Sequence, residues 1–378
     1  MRMLLCQLLV VALTVPVAMA SYVAEHNFTV VKTTVLKNGQ IIDWVHRDDQ
    51  GTIAQPPDFP PGEATEVATH SLKAFKESNA GPDGTVPILR STGNVSAMKS
   101  NPNTKKQPAS RITKRGYEGS HWYVSTADVG DSIGTSGTLS MYKAYVESTN
   151  DFSLLQTAVI RTGVPKVGVQ SVEAGWINYP DQVRNPHLFT FFTTNGYTGY
   201  GDYICGWNTE YRGWVQYDNS YYPGMEMTPL AVVGGTQAEF AITVRLVSGN
   251  WWVGINGKWI GYYPANLFTR DGNAASATLE SKATEVDWYG EVFQNQSQLT
   301  TTDMGSGHYA SEGSGKAAYI RRITVVDPSG TAYQYDGSGQ VVVSDSNRYS
   351  LNASFASGTN WGSFFFLGGP GAGGVING

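Results

Sequence analysis

From residue 116 to its C-terminus, the chain alternates short apolar runs with turn-forming residues, a pattern typical of β proteins. The clearest predicted strands are 138–146, 152–160, 187–194 and 239–247. In the last of these, Phe240 and Ile242 alternate with Ala241 and Thr243, as expected of a strand that buries one face. Three more strands are predicted in KAAYIRRITVVD, AYQYD and QVVVSD. Many short strands separated by Gly, Asn and Asp predict an all-β fold, an antiparallel β-sandwich over 116–378.

Turn signals agree with this interpretation. Asn256-Gly257 separates two aromatic runs in WWVGINGKWIGYY and predicts a β-hairpin. A short helix is predicted after Pro264 in PANLF. The Gly-rich end of the chain predicts a flexible tail.

Residues 21–98 differ in character and predict a small mixed α/β domain. A hairpin is expected at Asn38-Gly39. The Pro-rich stretch PPDFPPGEA then interrupts regular structure, and a short polar helix is predicted from about Glu63 to Ser78.

Residues 99–115, KSNPNTKKQPASRITKR, are polar, basic and interrupted by proline, and so predict an exposed linker. The linker ends in the dibasic pair Lys114-Arg115, the kind of site that processing proteases of the secretory pathway cut. An ordinary basic linker is the alternative, but the exported context favours processing.

The N-terminal 20 residues predict a secretory signal peptide. Arg2 precedes an apolar run from Met3 to Val17, and Ala18-Met19-Ala20 fits the A-x-A cleavage pattern, with cleavage after Ala20. No later run is apolar enough to suggest a membrane span. We therefore expect a soluble, secreted, extracellular protein, and a monomer.

Composition narrows the class of function. Charged residues make up 15% of the chain and the net charge is -5, so no basic surface argues for nucleic acid. Removal of the signal peptide with Cys6 leaves Cys205 unpaired, and we expect it to be a buried apolar residue. Four sequons predict N-glycosylation and support export: Asn27, Asn94, Asn295 and Asn352.

Two common kinds of hydrolytic site are poorly supported. The six histidines are scattered without metal-ligand spacing, so neither a metal nor another cofactor is expected. Gly130-Asp131-Ser132-Ile133-Gly134 matches the G-x-S-x-G serine motif. That motif must open a helix after a buried strand, whereas here a surface loop leading into a strand is predicted.

Two glutamates in apolar strands remain as candidates for acid–base chemistry on water. Glu173 lies in SVEAGWINYP and Glu291 in VDWYGEVFQN, and each has a glycine nearby, Gly175 and Gly290, where a ligand could approach the backbone. A solvent-facing strand position is the alternative for each. Because the two glutamates are far apart in sequence, only the fold can bring them together.

The blocks SVEAGWINYP, HLFTFFTTNGYTGY, NWWVGINGKWIGYYPANLF and WYGEV resemble, in this order, those of the neprosin family of secreted glutamic peptidases. IIDWVHRDDQ and GTVPILR resemble the activation-peptide domain of that family, and GGP at 368–370 also fits. The resemblance covers most of the chain after the signal peptide.

The resemblance implies a β-sandwich whose cleft holds Glu173 and Glu291 as the catalytic pair. It also implies an acid-acting endopeptidase that cuts after proline, and an N-terminal domain that acts as a removable intramolecular inhibitor. The substrates would be proteins or peptides that contain proline. Aromatic residues near the two glutamates could stack on a proline ring, although several could equally belong to the core: Trp176, Tyr179, Trp288 and Tyr289.

The chain departs from the family pattern at three places. Tyr200 stands where plant members have cysteine, the usual C-terminal cysteine is missing, and Tyr289 stands where glycine is common. The proline preference is therefore less firmly implied than the glutamate pair. Two other functions stay open from the residues alone: a two-carboxylate glycoside hydrolase, and a cell-wall or carbohydrate-binding β-sandwich without catalysis.

Overall fold

The computed structural model describes residues 28–62, 68, 70–75, 80–90, 99, 116–355 and 360–378. The predicted signal peptide with its cleavage site at Ala20, the processing pair Lys114-Arg115 and the sequons at Asn27 and Asn94 lie outside these residues. Within the described ranges no helix is long and apolar enough to cross a membrane.

The described residues form strands and short turns, and the only helical elements among them are 3-10 turns. The strands, numbered in chain order, are Val30–Val35 (β1), Ile41–His46 (β2), His70–Ser71 (β3), Thr85–Leu89 (β4), Ser120–Ser132 (β5), Gly134–Ser140 (β6), Phe152–Val164 (β7), Gly168–Tyr179 (β8), Val183–Thr193 (β9), Cys205–Trp207 (β10), Val215–Gln216 (β11), Ala238–Val247 (β12), Asn250–Ile255 (β13), Lys258–Pro264 (β14), Ala283–Gln294 (β15), Ala318–Val326 (β16), Ala332–Gln334 (β17), Val341–Val343 (β18), Ser350–Ser354 (β19) and Phe364–Gly368 (β20). The 3-10 turns are Arg47–Gln50, Ala265–Thr269, Ala275–Ala277, Ala310–Glu312 and Ala372–Gly374.

Two antiparallel sheets form a sandwich, which confirms the predicted all-β antiparallel class. One sheet has the strand order β10-β9-β8-β7-β15-β5-β18, and the other has the order β11-β14-β13-β12-β6-β16-β20-β19. In the second sheet β17 pairs with β16, and the short β3 pairs with β12 in parallel. We call the first the seven-stranded sheet.

The main hydrophobic core fills the space between the two sheets. Val172 and Trp176 of β8 and Trp288 of β15 meet Ile242 of β12 and Val253 of β13, and all five are fully buried. These side chains occupy alternate positions of their strands, as the period of two requires.

A second apolar cluster lies on the other face of the seven-stranded sheet. Phe152 and Leu154 of β7, Ile177 of β8 and Phe191 of β9 belong to it, and all are fully buried. The strands β7, β8 and β15 are therefore buried on both faces, which explains why their sequences are so apolar.

The N-terminal residues form a small antiparallel sheet in the order β1-β2-β4. The hairpin predicted at Asn38-Gly39 joins β1 to β2. Ile42 and Trp44 of β2 are part of the main core, so this sheet packs against the sandwich. The predicted mixed α/β character is not confirmed, since His70–Ser71 is strand and 72–75 is not helical. The rest of the predicted helix lies almost wholly outside the described residues.

Several strand predictions are confirmed, one is wrong and one long strand was not predicted. Strands 152–160, 187–194 and 239–247 correspond to β7, β9 and β12. The predicted strand 138–146 instead ends at Ser140, as part of β6. The long strand β5 has no counterpart in the predictions, and the G-x-S-x-G residues form the corner between β5 and β6, with Ser132 buried and no helix following.

The predicted turns are confirmed at the other end of the sandwich. Asn256 and Gly257 connect β13 to β14 with φ values of 45° and 79°, the positive values that a tight hairpin needs. The predicted short helix after Pro264 is the 3-10 turn Ala265–Thr269. The Gly-rich tail contains β20 and a further 3-10 turn rather than flexible chain alone.

The two glycines beside the glutamates serve packing rather than ligand approach. A Cβ at Gly290 would lie 2.6 Å from Leu367 Cδ1, on the core side of the sheet. A Cβ at Gly175 would lie 2.0 Å from the Leu155 carbonyl oxygen and 2.7 Å from Gln156 Cα. Gly175 therefore allows β8 to pair closely with β7 beside Gln156.

We expect Gly175→Ala to destabilise the protein by about 2 kcal/mol or more, because the neighbouring atoms are backbone and cannot turn away. Gly199→Ala is the matched control, since a Cβ there meets nothing within 4 Å. Thermal unfolding of the two variants measures the difference, and equal melting temperatures would contradict the packing role of Gly175.

Candidate active site

The two predicted glutamates lie on the strands that flank β7. Glu173 of β8 pairs with Ala158, and Glu291 of β15 pairs with Leu154. Gln156 lies between those two positions on β7 and points to the same face, because alternate residues of a strand share a face. The glutamates therefore converge on Gln156 from opposite sides, and all three polar side chains are fully buried.

Lys99 provides the positive charge at the centre of this cluster. Its Nζ donates to Glu291 Oε2 at 2.6 Å and to Gln156 Oε1 at 2.7 Å, and it lies 3.1 Å from Glu173 Oε2. The Oε2 atoms of the two glutamates therefore contact the same nitrogen atom. Lys99 itself is 2% exposed, so the first residue of the predicted exposed linker is in fact buried.

Neutral donors surround Glu173. Its Oε1 accepts hydrogen bonds from Tyr197 Oη at 2.6 Å and from Ser171 Oγ at 2.8 Å. Its Oε2 accepts hydrogen bonds from Gln156 Nε2 at 2.6 Å and from Tyr289 Oη at 3.0 Å. A buried carboxylate needs such partners, because an unpaired charge in an apolar setting is very costly.

The second carboxylate has a different set of partners. Glu291 Oε1 lies 2.7 Å from His121 Nδ1 and accepts a longer hydrogen bond from Tyr123 Oη at 3.2 Å. Both His121 and Tyr123 come from β5, the neighbour of β15 on the side away from β7. Because a carboxylate only accepts, His121 Nδ1 must be the donor.

These contacts outweigh burial in setting the charge of the pair. Burial raises the pKa of Glu291, but Lys99 and His121 lower it by more than burial raises it, and the net result is a pKa of about 2. Burial likewise raises the pKa of Glu173, whereas Lys99 and the hydrogen bonds from Tyr197, Gln156 and Ser171 leave that pKa below its usual value. With Lys99 in place, both carboxylates are therefore ionised.

Aromatic rings form a wall around the Lys99 ammonium. The ring centroids of Tyr289, Phe189 and Trp207 lie 5.2, 5.9 and 5.9 Å from Nζ. Such distances are favourable for a cation over aromatic faces. Tyr289 thus both contacts Glu173 and lines this wall.

The structure separates the four aromatic residues predicted to bind substrate. Trp176 and Trp288 are fully buried in the main core, where their Nε1 atoms donate to Ser140 O and Thr135 Oγ1. Neither can contact a substrate at the glutamates, because both project from the opposite face of the sheet. Tyr289 contacts Glu173, and Tyr179 shares that face but packs against Phe152.

Several residues of the site were not predicted from the sequence. Gln156 is a polar residue in the apolar strand sequence FSLLQTAVI, and this is the same signal that marked Glu173. His121 and Tyr123 were missed together with β5. Lys99 sits in a polar, proline-interrupted stretch whose composition indicates exposure, so no local signal marked it.

The remaining predicted positions are two sequons and a cysteine. Asn295 and Asn352 are exposed and so accessible to glycosylation. Cys205 is a free, buried cysteine, and burial raises its thiol pKa to about 12, as expected of an unreactive core residue. Within the described residues, no group of three or more His, Cys, Asp or Glu side chains could hold a metal ion.

The fold is similar to solved structures of glutamic peptidases, at low sequence identity. One is SCP-B, a member of the eqolisin family of peptidases, in complex with the tripeptide Ala-Ile-His; it shares 12% identity at a TM-score of 0.35 and covers 65% of this chain and 96% of its own. Another is scytalido-glutamic peptidase with a transition state analog inhibitor, with 11% identity, a TM-score of 0.35 and coverage of 66% and 97%.

The family comparison is decisive. The Neprosin family model matches residues 149–370, a segment that includes Gln156, Glu173 and Glu291 but begins after His121 and Tyr123. The match covers more than half of the chain and agrees with the resemblance of the sequence blocks. The chain therefore belongs to the Neprosin family.

Proposed function

We propose that the protein is a glutamic endopeptidase that activates water with Glu173 and Glu291. The observation that carries this proposal is the convergence of two fully buried carboxylates on one nitrogen atom, Lys99 Nζ. Buried ion pairs of this kind add little net stability, because hydrophobic replacements of similar volume are often as stable. Membership of the Neprosin family supports a peptidase of the glutamic type.

The chemistry needs one ionised and one protonated carboxyl. The ionised group takes a proton from water as the water oxygen bonds to the scissile carbonyl carbon. The protonated group hydrogen-bonds the carbonyl oxygen and stabilises its developing charge. The first group then returns its proton to the leaving nitrogen as the C–N bond breaks, so both glutamates regain their starting states.

The precursor is latent in this proposal because Lys99 occupies the position of the attacking water. Its ammonium contacts both carboxylates and Gln156, and it keeps both glutamates ionised. A pair that is doubly ionised lacks the proton that must be offered to the carbonyl oxygen. Residues 21–115 would thus inhibit the site directly and be removed during maturation, at Lys114-Arg115 or by the enzyme itself.

Acid weakens this inhibition. Since the pKa values of Glu173 and Glu291 are lowered in the folded state, their pairing with Lys99 is fully effective above the ordinary carboxyl pKa of about 4.3. It is lost as the pH falls toward the lowered values, about 2 for Glu291. Activation is therefore expected at a pH clearly below 4.3.

Cleavage after proline is the finer part of the proposal. The wall of Tyr289, Phe189 and Trp207 surrounds the Lys99 ammonium, and a pyrrolidine ring can pack on the same faces once Lys99 leaves. Secretion belongs to the proposal as well, on the strength of the signal-peptide pattern and the exposed sequons Asn295 and Asn352.

Replacement of either glutamate tests the catalytic pair. We expect Glu173→Gln and Glu291→Gln each to lower kcat by at least about 100-fold, because an amide can neither accept nor supply the proton. Peptide hydrolysis by the acid-treated protein is the measurement.

Glu210→Gln is the matched control. Burial raises the Glu210 pKa to about 8, so this carboxyl is already neutral at acid pH and its replacement should leave activity unchanged. Near-normal hydrolysis by either catalytic variant, with the fold intact by circular dichroism, would rule out the pair.

Replacement of Lys99 tests the origin of latency. We expect the full-length Lys99→Ala precursor to hydrolyse a reporter peptide at pH 5 without prior acid treatment, whereas the unmodified precursor requires exposure near pH 3. Lys282→Ala is the control, because Lys282 forms a partly exposed ion pair with Asp131 at the end of β15 opposite to Glu291. Equal latency of the Lys99 variant and the unmodified protein would contradict inhibition by this residue.

Mapping of cleavage sites tests the proline preference. Peptides that differ only by Pro or Ala at one position are incubated with the acid-activated protein, and the products are identified by mass spectrometry. We expect cuts on the carboxyl side of proline, and a higher KM for these peptides in Trp207→Leu, which removes part of the aromatic wall. Cleavage that is indifferent to the Pro-to-Ala change would overturn the preference and leave the catalytic pair intact.

A further inference from the structure

The two glutamates differ in the kind of partner that remains once Lys99 leaves. Among the described residues, the other partners of Glu173 are neutral donors, namely Tyr197, Ser171, Gln156 and Tyr289. Glu291 keeps Tyr123 and His121, and the His121 imidazole is able to carry a positive charge. The site is therefore electrically asymmetric.

The His121 ring is fixed in place by its neighbours. It lies 4.9 Å from the Phe293 ring, 6.0 Å from that of Phe152 and stacked on Tyr123 at 6.3 Å, measured between centroids. Its side chain is 11% exposed. The Nδ1 atom is thus held 2.7 Å from Glu291 Oε1 and cannot easily turn away.

We propose that His121 is a positioning residue that keeps Glu291 ionised as the general base and so leaves the shared proton on Glu173. This inference rests on the proposed peptidase function and assigns the two roles within it. It concerns a residue that lies outside the segment matched by the family model.

Charge balance within the cluster supports this assignment. With Lys99 bound, the two carboxylates share one ammonium, and Glu291 alone also has the His121 ring beside it, at 2.7 Å. Departure of Lys99 removes one positive charge, and two buried carboxylates this close cannot both stay ionised cheaply. One proton removes this repulsion, and it binds to Glu173, the carboxylate that has no imidazole beside it.

Glu173 can also accommodate that proton structurally. Ser171 Oγ, 2.8 Å from Glu173 Oε1, is a hydroxyl that can accept as well as donate. A protonated Glu173 therefore keeps a hydrogen-bond partner. On Glu291 the nearer partner of Oε1 is His121 Nδ1 at 2.7 Å, which donates its hydrogen and cannot accept one, and the Tyr123 hydroxyl lies farther away at 3.2 Å.

The titratable groups around His121 are accounted for in the described part of the chain. Glu291 faces it from β15, Tyr123 faces it from its own strand, and Lys99 bridges to the far oxygen of Glu291. From β7 and β15 the other contacts are the rings of Phe152 and Phe293, which do not titrate. Burial and the charge of Glu291 raise the pKa of Tyr123 well above its usual value, so that phenol stays neutral.

The pH dependence of kcat/KM tests the assignment. The full-length precursors of His121→Gln and Tyr123→Phe are activated by the same acid treatment as the unmodified protein and assayed on one reporter peptide from pH 2.5 to 7. The acidic limb of the kcat/KM profile, where activity rises with pH, reports ionisation of the general base, Glu291. Loss of His121 raises the pKa of Glu291, so the limb of His121→Gln moves to higher pH by about one unit.

Tyr123→Phe is the matched comparison, because it removes a neutral donor from the same oxygen, Glu291 Oε1. Its limb moves by less than that of His121→Gln. A uniform loss of rate at every pH, with the limb unmoved in His121→Gln, would show that His121 only packs and would overturn the inference. If glutamine prevents folding, His121→Asn is assayed in the same way.

The outcome is separable from that of the peptidase proposal. Activity that survives in Glu173→Gln and Glu291→Gln contradicts the catalytic pair itself. Loss of activity in both, together with an unmoved limb in His121→Gln, contradicts only the role of His121.

Discussion

The ion pairs of the Lys99 ammonium with Glu173 and Glu291 are the interaction on which the outer face of the seven-stranded sheet depends. Two carboxylates without solvent would otherwise repel each other within an apolar cluster, at a cost of several kcal/mol. One nitrogen neutralises them and also satisfies Gln156. The same contact that stabilises this face occupies the space where a substrate carbonyl and a water molecule would have to lie.

The sheet achieves this arrangement by using its two faces differently. On the face toward the second sheet, Trp176 of β8 and Trp288 of β15 pack in the main hydrophobic core. On the opposite face the same two strands present Glu173 and Glu291 across β7. A rigid strand on either side of Gln156 fixes the separation of the carboxylates, so the geometry of the pair follows from strand pairing rather than from loops.

The class of fold and the two glutamates could be predicted from sequence, whereas the rest of the site could not. Alternating apolar residues and Asn-Gly turns indicate paired strands wherever they occur, as at Asn256-Gly257. Glu173 and Glu291 were candidates because charge is rare in such strands, and the resemblance to the neprosin family paired them. β5 escaped because SHWYVSTADVGDS mixes small and polar residues, and its burial depends on β15 and β18 as neighbours. Lys99 was not predicted because its burial depends on residues far away in the sequence, whereas its own neighbours are polar and indicate exposure.

The position of β5 has a consequence for where the proposed processing can cut the chain. The strand begins at Ser120, only a few residues beyond the predicted processing pair Lys114-Arg115, and His121 is its second residue. Gly116 and Tyr117 lead into it, and the Tyr117 amide is anchored to the Ser297 carbonyl at 3.0 Å. Trimming that proceeds a few residues too far would therefore shorten the edge of the site itself. In the proposed mechanism, differently trimmed forms of one chain would share the glutamates yet differ in the acidity at which they work, so the new N-terminus would tune that acidity.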